Sequence, residues 1–243
     1  MARKSNTYFQ FKQFRVDQDQ CAMKVTMDAC LFGALVDVEE SQRILDIGTG
    51  TGLLSLMAAQ RSSAHIDAVE LDDDAARQAR QNVAQSPWSD RITVTQSAIQ
   101  QFFGAPDGYD TIICNPPFFE NSLKAANDKR TMARHTESLS FSDLVQATSR
   151  LLHKNGTAWI ILPVKSSLSF IGVVEATNSL NVSSITALRP SPSHPDHRYI
   201  ITLNKNKSSK NSARVDKRIT LYQEGTVFTE QVKALLKRFF LRL

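Results

Sequence analysis

The apolar run Thr111–Cys114 ends in Asn115, Pro116, Pro117, Phe118 and Phe119. Neither proline carries a backbone N–H, and a Pro-Pro step halts a strand or helix. This corner therefore accepts hydrogen bonds and donates few. The side-chain carbonyl of Asn115, the backbone carbonyl of Pro116 on a fixed φ and the flat face of Phe118 suit a planar amine, such as the exocyclic amino group of a base or an amide. The lone pair of such a nitrogen is delocalised. Two acceptors on its N–H groups favour a pyramidal nitrogen and aim the lone pair at an electrophile, while stacking fixes the line of attack. The competing reading is a proline-rich strand exit whose aromatics cap the core, and the corner taken alone favours it.

A second constellation changes that balance. "DIGTGTG", residues 46–52, stands where an apolar strand meets a helix, and Gly48, Gly50 and Gly52 let the backbone turn tightly and approach a ligand closely. The phosphate-cradling spacing GxGxxG is absent, because Leu53 occupies the place of its third glycine. Glu70 closes the next strand, eighteen residues after Gly52. That is close to the offset at which a carboxylate accepts both hydroxyls of a ribose. The alternative is that Glu70 only opens the following helix, as Asp72 to Asp74 do.

These residues need an α/β frame. Strands are expected at 43–47, 65–71, 92–96, 109–114 and 157–163, alternating with helices over 52–60, 73–85, 140–152 and 166–179. Ser140 is the N-cap of the third of these helices, Asp143 is at its capping-box position, and a turn at Asn155-Gly156 closes it. Two late strands, "SSITALRP" and "RYIITLN", flank a Pro- and His-rich loop. The alternation implies a mostly parallel sheet with helices on both faces. After the polar stretch 205–213, Val232, Leu235, Leu236, Phe239 and Phe240 recur at helical spacing, with Lys233, Lys237 and Arg238 off that face. The division expected is an N-terminal covering segment (1–36), a core (37–204) and a basic C-terminal part (205–243) packed on it.

With 42% hydrophobic and 22% charged residues, the chain has the composition of a soluble globular protein. No apolar run reaches the roughly eighteen residues of a membrane span, and the first residues lack the apolar stretch of a secretory leader. Three cysteines, none in a CxxC pair, point to a reducing cytoplasm. His194 and His197 lack a third ligand nearby, so no metal site is expected. Charge is uneven: residues 1–24 carry five basic and two acidic residues, and residues 205–243 ten and three, in a chain of net +5. By charge alone, basic ends that meet a polyanion and a merely solvated surface are equally good readings. Phe11 and Phe14 read as core, whereas Lys12 and Arg15 could touch a polyanion.

Asp46, the three glycines and Glu70 resemble the S-adenosylmethionine site of the Rossmann-like class I methyltransferases. The resemblance implies that Gly48, Thr49, Gly50 and Gly52 lie under the methionine and adenosine parts, where there is no phosphate to cradle. Glu70 would take the ribose, with Leu71 beside it. Ser97 and Ala98 stand where such enzymes place Asp or Asn against the adenine. "KVTMDA" (24–29), with Lys24 and Asp28, is similar to the segment that covers the cofactor, although Asp28 could equally cap a helix. Asn115-Pro116-Pro117-Phe118 matches the (Asp/Asn)-Pro-Pro-(Tyr/Phe) signature of amino-group methyltransferases, which act on adenine N6, guanine N2 or glutamine. Residues 9–35, the corner, "ARHTESLSFSDL" (133–144) and the tail 221–241 together resemble the bacterial tRNA adenine-N6 methyltransferases. That family modifies the unpaired adenosine 3′ of the anticodon in a valine tRNA. Nothing in the sequence demands an oligomer, so a cytoplasmic monomer is expected; Lys124, Lys129, Arg130 and Arg134 of the loop 119–138 are placed to hold the anticodon stem-loop, and His135 either lines the substrate channel or is a hydrogen-bonded loop residue. A protein-glutamine methyltransferase and a non-catalytic RNA-binding relative stay open as alternatives.

Overall fold

The computed structural model describes residues 6–21, 23–116, 139–206, 214–223 and 225–243. A hairpin of β1 (Tyr8–Gln10) and β2 (Arg15–Asp17) leads into helix α1 (Met27–Leu35). The strand–helix alternation follows: β3 (Arg43–Ile47), α2 (Leu53–Arg61), β4 (His65–Glu70), α3 (Asp73–Ala84), β5 (Ile92–Gln96), β6 (Tyr109–Cys114). Beyond come α4 (Phe141–Leu151), β7 (Leu152–Pro163), α5 (Val164–Thr177), β8 (Asn181–Arg189), β9 (Arg198–Asn204), β10 (Lys217–Thr220) and α6 (Glu230–Leu236).

Among the described residues, eight strands form one sheet in the order β10-β8-β9-β7-β6-β3-β4-β5, and of these only β9 runs against its neighbours. The inner strands are continuous apolar runs because both faces are covered. Their pleat sends Ile44, Ile66, Ile113, Ile161 and Ile200 to one layer, and Leu45, Ile112, Ile160 and Ile201 to the other. The first layer is filled by α1, α2, α6 and the hairpin, the second by α4 and α5. Phe11 and Phe14 are buried in the first layer, stacked on each other.

Local chemistry explains most boundaries. Ser140 and Asp143 form a reciprocal capping box at the start of α4, as expected. Asp72 caps α3 through the N–H of Ala75. Thr26, not Asp28, caps α1. Asn178, at φ 50°, ends α5 in the left-handed region.

Three features depart from the sequence expectation. Asn155-Gly156 does not close a helix: α4 passes straight into β7, and the pair lies inside that strand where its register against β6 shifts. Gly156 serves close approach, since a Cβ there would stand 2.7 Å from the carbonyl oxygen of Tyr109. Residues 217–220 add an edge strand, β10, parallel to β8. The C-terminal helix ends at Leu236, and a turn carries Phe239 and Phe240 into the core, where Phe240 bridges to Phe11. Among the described residues no helix is long and apolar enough to cross a membrane.

Candidate active site

The parallel strands end along one rim, and open α/β sheets bind ligands there. β3 runs into the glycine turn, where Gly48, Gly50 and Gly52 adopt φ of 71°, 56° and 82°. Among the described residues, a Cβ built on Gly48 would meet nothing within 4 Å. Gly52 opens α2 against Ala79 of α3. The turn is tied to β4 by Gly48 N–H donating to Val69 O at 2.8 Å and Gly50 N–H donating to Glu70 Oε2 at 2.8 Å. The other oxygen of Glu70 accepts from the N–H groups of Leu71 (2.9 Å) and Asp72 (3.0 Å). Leu71 is exposed beside it.

Asp46 is fully buried beneath the turn. Its Oδ2 accepts from Thr49 Oγ1 (2.7 Å), Ser55 Oγ (2.7 Å) and Ser55 N (3.1 Å), while its Oδ1 is buried with no hydrogen-bond partner among the described residues. Burial pushes this carboxyl up to about 6; bonds from Thr49 and Ser55 oppose the rise and nearby Glu70 adds to it. A buried acceptor without a donor is costly, and a water, an ion or a ligand N–H can satisfy it. Cys114 forms the buried floor, its thiol raised by burial first and by Asp46 and Glu70 next.

The acceptor corner stands directly beside this turn. Ile47 of β3 pairs with Cys114 of β6, so the next residues, Gly48 and Asn115, leave adjacent strand ends together. Strand spacing places them about 5 Å apart in backbone terms. Asn115 is half-buried and Pro116 buried. No hydrogen bond engages the Asn115 side chain among the described residues. A ligand on the turn and one at the corner would lie side by side.

The family model described as "Methyltransferase small domain" matches residues 25–171. A tRNA1(Val) (adenine(37)-N6)-methyltransferase from Parabacteroides distasonis is 41% identical over 242 residues, covering 98% of this chain and 100% of that protein. The enzyme of the same name from Shewanella sediminis is 40% identical, covering 96% and 99%. The chain belongs to this methyltransferase family. The fold agrees: a structure titled a predicted O-methyltransferase from Agrobacterium tumefaciens superposes with TM-score 0.64 at 21% identity, over 88% of this chain and 98% of that one.

S-adenosylmethionine, the group implied by the sequence resemblance, fits this methyltransferase pocket. Asp46 Oδ1 offers an unpaired acceptor to an α-ammonium, the open side of Gly48 leaves room for the chain, and Glu70 Oε2 retains a lone pair for a ribose hydroxyl. A cationic ligand needs Asp46 ionised. We expect affinity for S-adenosylmethionine, measured by calorimetry, to rise about tenfold between about pH 5 and pH 7 and then level off. Asp46→Asn should weaken binding and flatten that profile. The stability of the free protein runs the other way. Between 3.8 and about 6 the native state keeps a proton that the unfolded chain has lost, so stability falls as pH rises through that window.

Other expected residues fall in different places. Thr49 turns its hydroxyl inward to Asp46. Ser97 is half-buried, and its Oγ donates to the carbonyl of Ala98. Lys24 is exposed on a segment that crosses the glycine turn: Gln20 N–H donates to Gln78, Val25 N–H donates to Gln18, and Cys21 Sγ would lie 3.9 Å from a Cβ on Gly50. Asp28 pairs its carboxylate with His197 Nε2 at 2.9 Å and Arg198 Nε at 3.3 Å. Phe118, Lys124, Lys129, Arg130, Arg134 and His135 lie outside the described residues.

Two supporting residues were missed in the sequence. Ser55 holds Asp46 with two bonds, and a lone serine in the apolar run "LLSLM" was the available signal. Asn82, buried on α3, exchanges bonds with both backbone groups of Asp17 and donates to Thr51 O at 2.8 Å, joining the hairpin to the glycine turn. Its partners are 65 and 31 residues away, beyond any local pattern.

Proposed function

We propose that this enzyme transfers the methyl group of S-adenosylmethionine to N6 of adenine 37, the unpaired base 3′ of the anticodon, in a valine tRNA. The names of the full-length relatives support the substrate. The adjacency of Gly48 and Asn115 at neighbouring strand ends supports the mechanism, because a methyl donor on the turn would lie beside an amine at the corner. When bound, the cofactor supplies an electrophilic methyl group on a sulfonium centre.

The chain's own residues prepare the amine. Asn115 Oδ1 and the Pro116 carbonyl accept its two N–H bonds and turn its lone pair out of the ring plane. Phe118 stacks on the base and aligns it for attack. Glu70 takes the ribose, Asp46 the α-ammonium, and Leu71 with Ser97 and Ala98 flanks the adenine. Lys24 helps cover the cofactor, and Lys124, Arg130, Arg134 and His135 hold the stem-loop. As nitrogen gains its methyl group, one of its two protons leaves toward the acceptor corner and water. The anticodon-loop base is already unpaired, so bringing it to the corner costs less than flipping a duplex base. We read the enzyme as a cytoplasmic monomer.

The test is methyl transfer from labelled S-adenosylmethionine to total tRNA from a strain lacking this gene, followed by nucleoside analysis, with protein extract and duplex DNA in parallel. Label in N6-methyladenosine from tRNA alone is expected. Label in protein would leave the corner right and the substrate wrong.

A further inference from the structure

Charge along the site rim is divided by flank. On the β4 side stand Glu70, Asp72, Asp73 and Asp74, with Arg77 held by the last two. On the other side each strand end brings a cation. Lys165 follows the end of β7 at Pro163, Arg198 begins β9 opposite Pro163, and Arg189 ends β8. Arg189 lies opposite Thr220 of β10, and its Nε donates to that residue's hydroxyl at 2.7 Å. Arg218 reaches up from β10 to Asp196 of the β8–β9 loop with a two-point bond of 2.7 and 2.8 Å. Exposed His194 lies in the same loop.

We propose that this second rim, formed by Lys165, Arg189, His194, Arg198 and Arg218, receives the phosphate backbone of the RNA whose adenosine enters at Asn115. The inference rests on the tRNA reading and assigns its docking surface. At strand spacing, β7, β9, β8 and β10 lie about 5, 10, 14 and 19 Å from β6. The cations thus form a row leading away from the corner, whereas the acids on β4 lie about 10 Å to its other side. Charges so separated are distinct at physiological salt, where screening sets in over about 8 Å. A polyanion is drawn to one flank and repelled by the other.

Among the described residues, two carboxylates, Asp28 and Asp196, stand among the four Lys and Arg side chains of the row. They aim Arg198 and Arg218 and leave the flank positive. Arg218 keeps guanidinium N–H groups beyond its two bonds to Asp196 for phosphate oxygens. Lys165 is exposed with no hydrogen bond or ion pair among the described residues. Such contacts position a nucleic acid and do not read its sequence.

The test is filter binding of unmodified tRNA to the full chain between about 50 and 200 mM salt. Lys165→Glu and the pair Lys165→Gln/Arg189→Gln are compared with Arg43→Gln/Lys154→Gln, exposed residues of β3 and β7 at the far end of the sheet. The rim variants are expected to weaken tRNA binding about tenfold and to flatten the slope of log K against log salt by about one per lost contact. KM for tRNA should rise, while kcat and cofactor affinity hold. The far-end pair should stay within about twofold of wild type. Lys165→Glu touches no partner in the described fold, so it remains informative if the double variant unfolds. Unchanged tRNA affinity and slope in Lys165→Glu, in a wild-type background that methylates tRNA, would overturn the surface alone. A wild-type chain that methylates no tRNA would overturn the substrate reading, and the surface with it.

Discussion

Replacing Asn115 with alanine is expected to lower turnover by about 10²–10³-fold, the usual loss when one preorganised polar contact to a reacting group is removed. Affinity for S-adenosylmethionine should hold, because the proposed cofactor site is the glycine turn with Asp46 and Glu70. Asn115→Asp separates the acceptor role from the rest of the amide. A carboxylate keeps an oxygen for the amine and loses only the amide's N–H donors. It should therefore retain far more activity than alanine. If the amide acted instead as a donor, aspartate would fare as badly as alanine. Single-turnover kinetics at saturating cofactor and tRNA reads this directly, since it isolates the chemical step from product release. An alanine variant as fast as wild type in that assay removes the proposed mechanism.

What the sequence revealed, and what it hid, follows from the range of each interaction. The glycine turn was legible because three closely spaced glycines imply backbone that other residues avoid, and all three have positive φ. The strand exits at Glu70 and Asn115 were legible because a buried parallel strand is a continuous apolar run. Asn155-Gly156 misled for a physical reason. The dipeptide is a strong turn signal, yet here the missing side chain of Gly156 admits the β6 backbone at 2.7 Å. β10 has only four residues and exists by pairing with β8, 31 residues earlier, which no local pattern announces. The same holds for Asp28 and His197, which meet across 169 positions. Spacing alone also made the apolar tail one helix, although Phe239 and Phe240 reach the core from a turn.

Glu70→Ala should raise the dissociation constant for S-adenosylmethionine by about 10²–10³-fold. Glu70 holds three backbone N–H groups, from Gly50, Leu71 and Asp72, and so joins the glycine turn to the start of α3. Its lost contacts to a ribose would cost about 1.5–3 kcal/mol each as charge-assisted bonds. Two such bonds, partly replaced by water, account for the expected shift. A turn that merely loosens could also weaken binding, so the variant alone does not separate the two roles. A double cycle does. S-adenosylhomocysteine and its 2′-deoxy analogue, titrated against both proteins, report whether carboxylate and hydroxyl are coupled. The wild type should prefer the ribose form by about tenfold or more, and Glu70→Ala should lose the preference. If the variant binds weakly yet still discriminates, Glu70 organises the turn and another group reads the ribose. If both preference and affinity survive, the carboxylate's bonds to Gly50, Leu71 and Asp72 serve the fold alone.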